Sequence, residues 1–218
     1  MIKVILFGAT GMVGQAVLRE CLRDDGIEQV LSIGRKPSGA THPKLRERIV
    51  GDMFDADSAA AELQGFDACF FCLGVSSAGM SEADYTHLTY DLTLAWARVL
   101  ARLNPAMTFV YVSGAGTGGK SMWAQVKGRT EDALLALFPS AYMFRLAMLR
   151  PMNREVSKTR WTRISYIIFR PLLPLIRAVA PGAVITTEEL GRAMIRVARH
   201  GANKRVLESR DMRALGNS

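Results

Sequence analysis

Apolar residues recur along this chain in two rhythms, and the alternation between them predicts its architecture. Residues 2–7 form an almost unbroken apolar run with one lysine, the pattern of a strand buried on both faces. Directly after it, Met12, Val13, Ala16, Val17 and Cys21 return at helical spacing. The same reading places strands at 28–33, 48–50, 66–73, 107–112 and 141–146, and a short alanine-rich helix at about 57–63. Ser81-Glu82-Ala83-Asp84 opens a long helix to about residue 103, with Leu88, Leu92, Ala95, Trp96, Val99 and Leu100 as its buried stripe, and Asn104-Pro105 stops it. A further helix holds Trp123 and Lys127 and runs to about residue 138. Thr186-Thr187-Glu188-Glu189 reads as a capping box for a helix to about His200, and Arg205-Val206-Leu207 as a last edge strand. Strands alternating with helices of these lengths predict a doubly wound parallel α/β sheet in a single domain spanning 1–218.

The first strand and helix are joined by Gly8-Ala9-Thr10-Gly11-Met12-Val13-Gly14. Strand, glycine turn and helix in that order are the setting of a dinucleotide site. Gly8 permits the sharp turn, Gly11 lets backbone approach a pyrophosphate, and Gly14 lets the helix pack close to the strand. The pyrophosphate then meets exposed N–H groups at the helix N-terminus, with Thr10, Met12 and Val13 among the expected cofactor residues. The second strand ends in Arg35 and Lys36, and Glu28, at its other end, is the one carboxylate between Ile27 and Arg46. An acidic residue here would bind a ribose 2′-OH, whereas arginine accommodates a 2′-phosphate, so NADP is expected over NAD. A solvated basic loop is the plainer alternative. Asp52 and Met53 are positioned to border an adenine ring, although Asp52 suits a helix cap equally well. Leu73 and Gly74 bring backbone near the cofactor. Right-handed crossovers gather the glycine loop, Gly74, Ser113 and Arg145 at the carboxyl ends of the strands, around one crevice.

Composition narrows the class. With 218 residues, 49% hydrophobic and 22% charged, the chain reads as an ordinary globular domain. A net charge of +8 calls for an anionic partner. The basic residues are spread out, without the aromatic-interleaved run of a nucleic-acid module, so an anionic cofactor or an acidic membrane surface fits better. Three cysteines, an odd number, argue for a reducing compartment. Cys69 and Cys72, three apart on a strand, should face opposite sides and serve as core. No signal-peptide pattern opens the chain, which leads us to expect a cytoplasmic protein; no metal site is predicted. Residues 146–185 are rich in Arg, Pro and large apolar residues, too interrupted for a membrane span. They read as a substrate-side lid, with a membrane-surface role for 152–177 or a simple cover of the sheet as the alternatives.

The glycine motif, Tyr111-Val112-Ser113, Trp123-x-x-x-Lys127-Gly128 and Arg145 followed by Pro151 together resemble the short-chain dehydrogenase/reductase superfamily, specifically its atypical TIP30-like and NmrA-like NAD(P)-binding members. The resemblance covers nearly the whole chain. It implies a nicotinamide dinucleotide across the strand ends, with Ser113 orienting a substrate carbonyl and Lys127 holding the nicotinamide ribose. It also implies a Tyr four residues before the Lys as proton donor, and that place holds Trp123, whose indole does not exchange a proton near neutral pH. Tyr111, Tyr85, His87 and Lys127 itself are the candidate replacements. Two functions compete: an NADP-dependent oxidoreductase or epimerase-like enzyme acting on a small hydrophobic carbonyl, and a catalytically silent NADP(H)-binding sensor. A membrane-peripheral factor is a third.

Overall fold

Val4 to Phe7 of the first strand, β1 (Ile2–Phe7), have no exposed surface, and a strand so apolar belongs at the centre of a sheet covered on both sides. The computed structural model, which describes residues 1–152 and 184–217, puts it there. Around it lie β2 (Ile27–Gly34), β3 (Leu45–Ile49), β4 (Ala68–Phe71), β5 (Thr108–Gly114), β6 (Ser140–Leu146) and β9 (Val206–Glu208), in the order β3-β2-β1-β4-β5-β6-β9. Every neighbouring pair is parallel, so the doubly wound sheet read from the sequence is the one that forms. The chain reverses direction across the sheet between β1 and β4, which opens a crevice at their carboxyl ends.

Helices cover both faces. One face packs under α1 (Met12–Arg23), α5 (Thr187–His200) and α6 (Ser209–Gly216), around Val17, Leu190, Met194 and Met212. The other packs under a 3-10 helix (Asp57–Glu62), α3 (Leu92–Leu103) and α4 (Met122–Leu137). There the Trp96 ring meets Phe7 edge-on at 4.8 Å, and its indole N–H donates to the Met53 carbonyl at 2.7 Å. Cys69 belongs to this second cluster and Cys72 packs against the first, on opposite faces as the strand spacing requires.

The long helix expected over 81–103 is interrupted. It begins as α2 (Glu82–Thr86), with Ser81 capping the Asp84 N–H, widens into a π-turn (His87–Asp91), and resumes as α3. The wider turn rotates the faces: Tyr85, Thr89 and Thr93 are buried, while Leu88, expected in the core, is 37% exposed. The strand expected at 66–73 shortens to β4: it starts late because Asn104 accepts the Gly65 and Phe66 N–H groups, and it ends at Phe71. β3 starts earlier than its apolar residues indicate, at an edge where Arg46 and Glu47 are exposed. β5 runs on through Ser113 to Gly114.

The capping box at Thr186 forms in full: Thr186 Oγ1 accepts from Glu189 N at 3.1 Å, and Glu189 Oε2 accepts from Thr186 N at 2.8 Å. A separate two-stranded parallel pair, β7 (Met148–Arg150) with β8 (Val184–Thr186), joins the two ends of the proposed lid. The lid and membrane-surface readings themselves fall on 153–183, outside the described residues. No helix among the described residues is long and apolar enough to cross a membrane.

Candidate functional site

The glycine loop has the shape its sequence demands. Gly8 has φ +84°, and a Cβ there would lie 2.7 Å from the Cys72 carbonyl oxygen, so a side chain is barred by both conformation and space. A Cβ on Gly14 would lie 2.0 Å from the Gly8 oxygen, which fixes how closely α1 rides on the turn. Gly11 donates its N–H to Gly8 at 2.9 Å and would meet, with a Cβ, only that same oxygen. No side chain caps α1 and no acidic residue sits in its first turn, so its opening N–H groups are left for an anion. Across the crevice, Gly74 follows β4 with no heavy atom within 4 Å of where a Cβ would stand. An uncapped helix start with no carboxylate in its first turn, and room at Gly74, fits a dinucleotide pyrophosphate.

On the adenosine side, Arg35 and Lys36 are exposed just past the end of β2 and make no ion pair among the described residues. Glu28 is held at the far end of β2 by Lys3 at 3.5 Å. Asp52 is exposed and accepts the Phe54 N–H at 2.9 Å, whereas Asp55 receives the Ser58 N–H of the 3-10 helix; Asp52 is therefore not that helix's cap. Met53 is buried in the core, so its side chain supports this edge from below.

At the other end of the crevice, β5, β6 and α4 bring five polar side chains together. Ser113 and Arg145 are register partners on adjacent strands. Above them Glu131 of α4, its side chain 2% exposed, accepts the Ser113 hydroxyl proton at 2.5 Å. Glu131 also accepts both Nε (3.2 and 3.1 Å) and Nη2 (2.6 Å) of Arg145. This carboxylate holds the Arg145 guanidinium firmly in its charged form. One turn earlier on α4, Lys127 donates to the Tyr111 hydroxyl at 3.4 Å. Burial lowers the Lys127 ammonium to a pKa of about 8, against a smaller opposing pull from Glu131. The Tyr111 phenol is pushed well above its ordinary value by burial, with Tyr85 and Glu131 adding to the rise.

These positions sort the candidate proton donors. His87 stacks on Phe54 at 4.2 Å and pairs with Asp91 at 3.3 Å, away from the Ser113 cluster. Tyr85 and Tyr111 are both buried phenols that hold their protons more tightly than usual. Trp123 rests against the glycine turn, its ring 3.6 and 3.7 Å from where Cβ atoms on Gly114 and Gly116 would stand. Ser113 bonds to Glu131, whose charge also reaches Lys127 one turn earlier on α4. Glu131 is the residue the sequence reading missed. Its signal was its place four residues beyond Lys127, on a helix face otherwise turned to the core.

Comparison with known proteins bears on the same features. A family model described as NAD(P)H-binding matches residues 8–198. Protein FMP52, mitochondrial, of Candida glabrata is 26% identical over 223 residues, covering 98% of this chain and 92% of that protein. Protein HTATIP2 of Rattus norvegicus is 27% identical over 165 residues, 73% of this chain and 67% of that protein. Leucinostatins biosynthesis cluster protein T of Purpureocillium lilacinum is 29% identical over 138 residues, 61% of this chain, which spans 51% of that protein. Among solved structures, the Bordetella bronchiseptica enzyme WbmF in complex with NAD+ superimposes with a TM-score of 0.70 at 18% identity, over 99% of this chain and 77% of its own. That likeness is one of fold. With its glycine turn, its parallel sheet and a match over most of its length, this chain belongs to the NAD(P)H-binding family.

Proposed function

We propose that the protein is an NADP-dependent oxidoreductase or epimerase-like enzyme acting on a small hydrophobic carbonyl compound, with Lys127 replacing the missing phenol as proton donor. The observation that supports this most is Lys127 itself: a half-buried ammonium one turn from Glu131, with a proton affinity lowered toward neutrality. When bound, the dinucleotide supplies or takes up a hydride. Gly8, Thr10, Gly11, Met12, Val13 and Gly14 would hold its pyrophosphate, with Arg35 and Lys36 on the 2′-phosphate. Asp52 with Met53 would border the adenine, and Leu73 and Gly74 the middle of the crevice. Lys127 near pH 7 is mostly protonated and can release that proton to a developing alkoxide. Three unpaired cysteines suit a reducing compartment, the cytoplasm being the one first expected.

The competing reading, a silent NADP(H) sensor, draws on the indole of Trp123 where the phenol is expected. Calorimetry with NADPH and NADH, followed by cofactor oxidation across a panel of aliphatic and aromatic carbonyls, separates the two. Turnover that survives Trp123→Ala and is lost in Lys127→Ala supports the enzyme. Tight NADPH binding without turnover on any carbonyl supports the sensor, and binding of neither dinucleotide at millimolar concentration refutes both.

A further inference from the structure

A serine hydroxyl has one hydrogen to give and two lone pairs to offer, while a carboxylate can only accept. At 2.5 Å from Glu131, Ser113 must therefore be the donor, and its single hydrogen is spent inside the protein. Arg145 keeps this arrangement in place. Its Nε and Nη2 donate to the two Glu131 oxygens at 2.6 to 3.2 Å, which holds that carboxylate beside Ser113. The triad spans β5, β6 and α4, so three separate elements set the positions of its members. What Ser113 has left for a ligand is a lone pair. A carbonyl oxygen placed there would face another oxygen's lone pair, whereas a hydroxyl would find an acceptor.

We propose that the Glu131–Arg145 pair holds Ser113 as a hydrogen-bond acceptor, so that this crevice binds the alcohol of an alcohol–carbonyl pair more tightly than the carbonyl. The inference rests on the reading that the crevice is the ligand site, and it names the alcohol as the member of the alcohol–carbonyl pair that the resting site is built to hold. Glu131 is here a positioning residue: it sets the polarity of Ser113 without touching the ligand.

The test uses the full chain with saturating NADP+ and two matched probe pairs, 1-phenylethanol with acetophenone and cyclohexanol with cyclohexanone. Dissociation constants are read by ligand-observed NMR titration. The expected result is tighter binding of the alcohol in each pair, by about tenfold, the size of one well-formed hydrogen bond. Ser113→Ala, which removes only a hydroxyl, should bring that ratio to within about twofold of unity. Glu131→Gln, whose amide can donate to Ser113 and free the serine hydrogen, should reverse it. A merely structural role for Glu131 would weaken both members alike and leave the ratio where it was. Equal affinities in the unaltered protein, tighter ketone binding, a ratio indifferent to Ser113→Ala, or no binding of either pair would each overturn the proposal. Calorimetry with NADP+ on the same samples separates the two levels: cofactor binding with a flat ratio sinks this inference alone, and absence of cofactor binding sinks the functional reading with it.

Discussion

Replacing Lys127 with methionine should make this protein more stable at neutral pH while removing its proposed proton donor. The unfolded chain holds that proton with the ordinary lysine pKa of 10.5, and burial in the fold lowers it to about 8. At about 1.4 kcal/mol per tenfold change, the ammonium works against folding by about 3 kcal/mol below pH 8. Residual solvent contact of the side chain reduces the expected gain to about 1–3 kcal/mol. The sign follows from linkage. Between pH 8 and 10.5 the unfolded state binds more protons than the folded one, so the stability of the unaltered protein rises with pH across that window. The penalty is complete below it and relieved above it. Tyr111 acts oppositely above pH 10, since its phenol ionises only on unfolding, but it is present in both proteins and cancels in the difference. Urea denaturation of both proteins from pH 6.5 to 10.5 measures that difference directly. Lys127→Met should be the more stable below pH 8 and converge with the parent near pH 10.5. A less stable variant at pH 7, or a difference that does not change with pH, would refute the argument that Lys127 is held in the fold at a cost.

Other perturbations test other parts of the site. Arg35→Glu should weaken NADPH binding by about tenfold or more and NADH binding little, because a charge-assisted phosphate contact becomes a repulsion; equal losses would place Arg35 elsewhere. Gly14→Ala drives a Cβ into the Gly8 carbonyl and should cost about 1–3 kcal/mol of stability along with dinucleotide binding, whereas Gly74→Ala meets open space and should leave the melting midpoint nearly unchanged. Trp123→Tyr restores a phenol one turn from Lys127 and should raise carbonyl reduction by at least about tenfold, read as NADPH oxidation. Arg145→Ala leaves the buried Glu131 carboxylate without its cation and should cost about 3–5 kcal/mol in urea denaturation.

Much of the frame was legible because its signals are local. The apolar run of β1 and the glycine spacing after it fix strand, turn and helix by steric rules acting within a dozen residues, and Thr186 with Glu189 names its own helix start. What escaped depends on partners distant in sequence. The π-turn that exposes Leu88 is chosen by how Tyr85 and Thr89 pack, and the helical pattern alone predicts the opposite face. Asn104 shortens β4 from nearly forty residues away. Glu131 looked like one more carboxylate on a helix, because its meaning comes from Ser113 and Arg145 on two strands that only the fold brings beneath it.

The residues of the crevice divide by what they do for the chain itself. Glu131, Arg145 and Ser113 satisfy one another, and the fold is better for having all three. Lys127 is different: it is a half-buried ammonium facing a phenol at 3.4 Å, and an apolar side chain of the same length would serve the packing better. Gly8 and Gly14 likewise cost conformational entropy in exchange for amides left uncapped, and Arg35 and Lys36 project past β2 with no described partner. A sequence whose local choices otherwise agree with its fold departs from it at the pyrophosphate turn, at the end of β2 and at Lys127. Those three places follow one another along the sheet as the end of β2, the turn after β1 and Lys127 over β5, which is the sequence 2′-phosphate, pyrophosphate and reacting group that the proposed NADP would need.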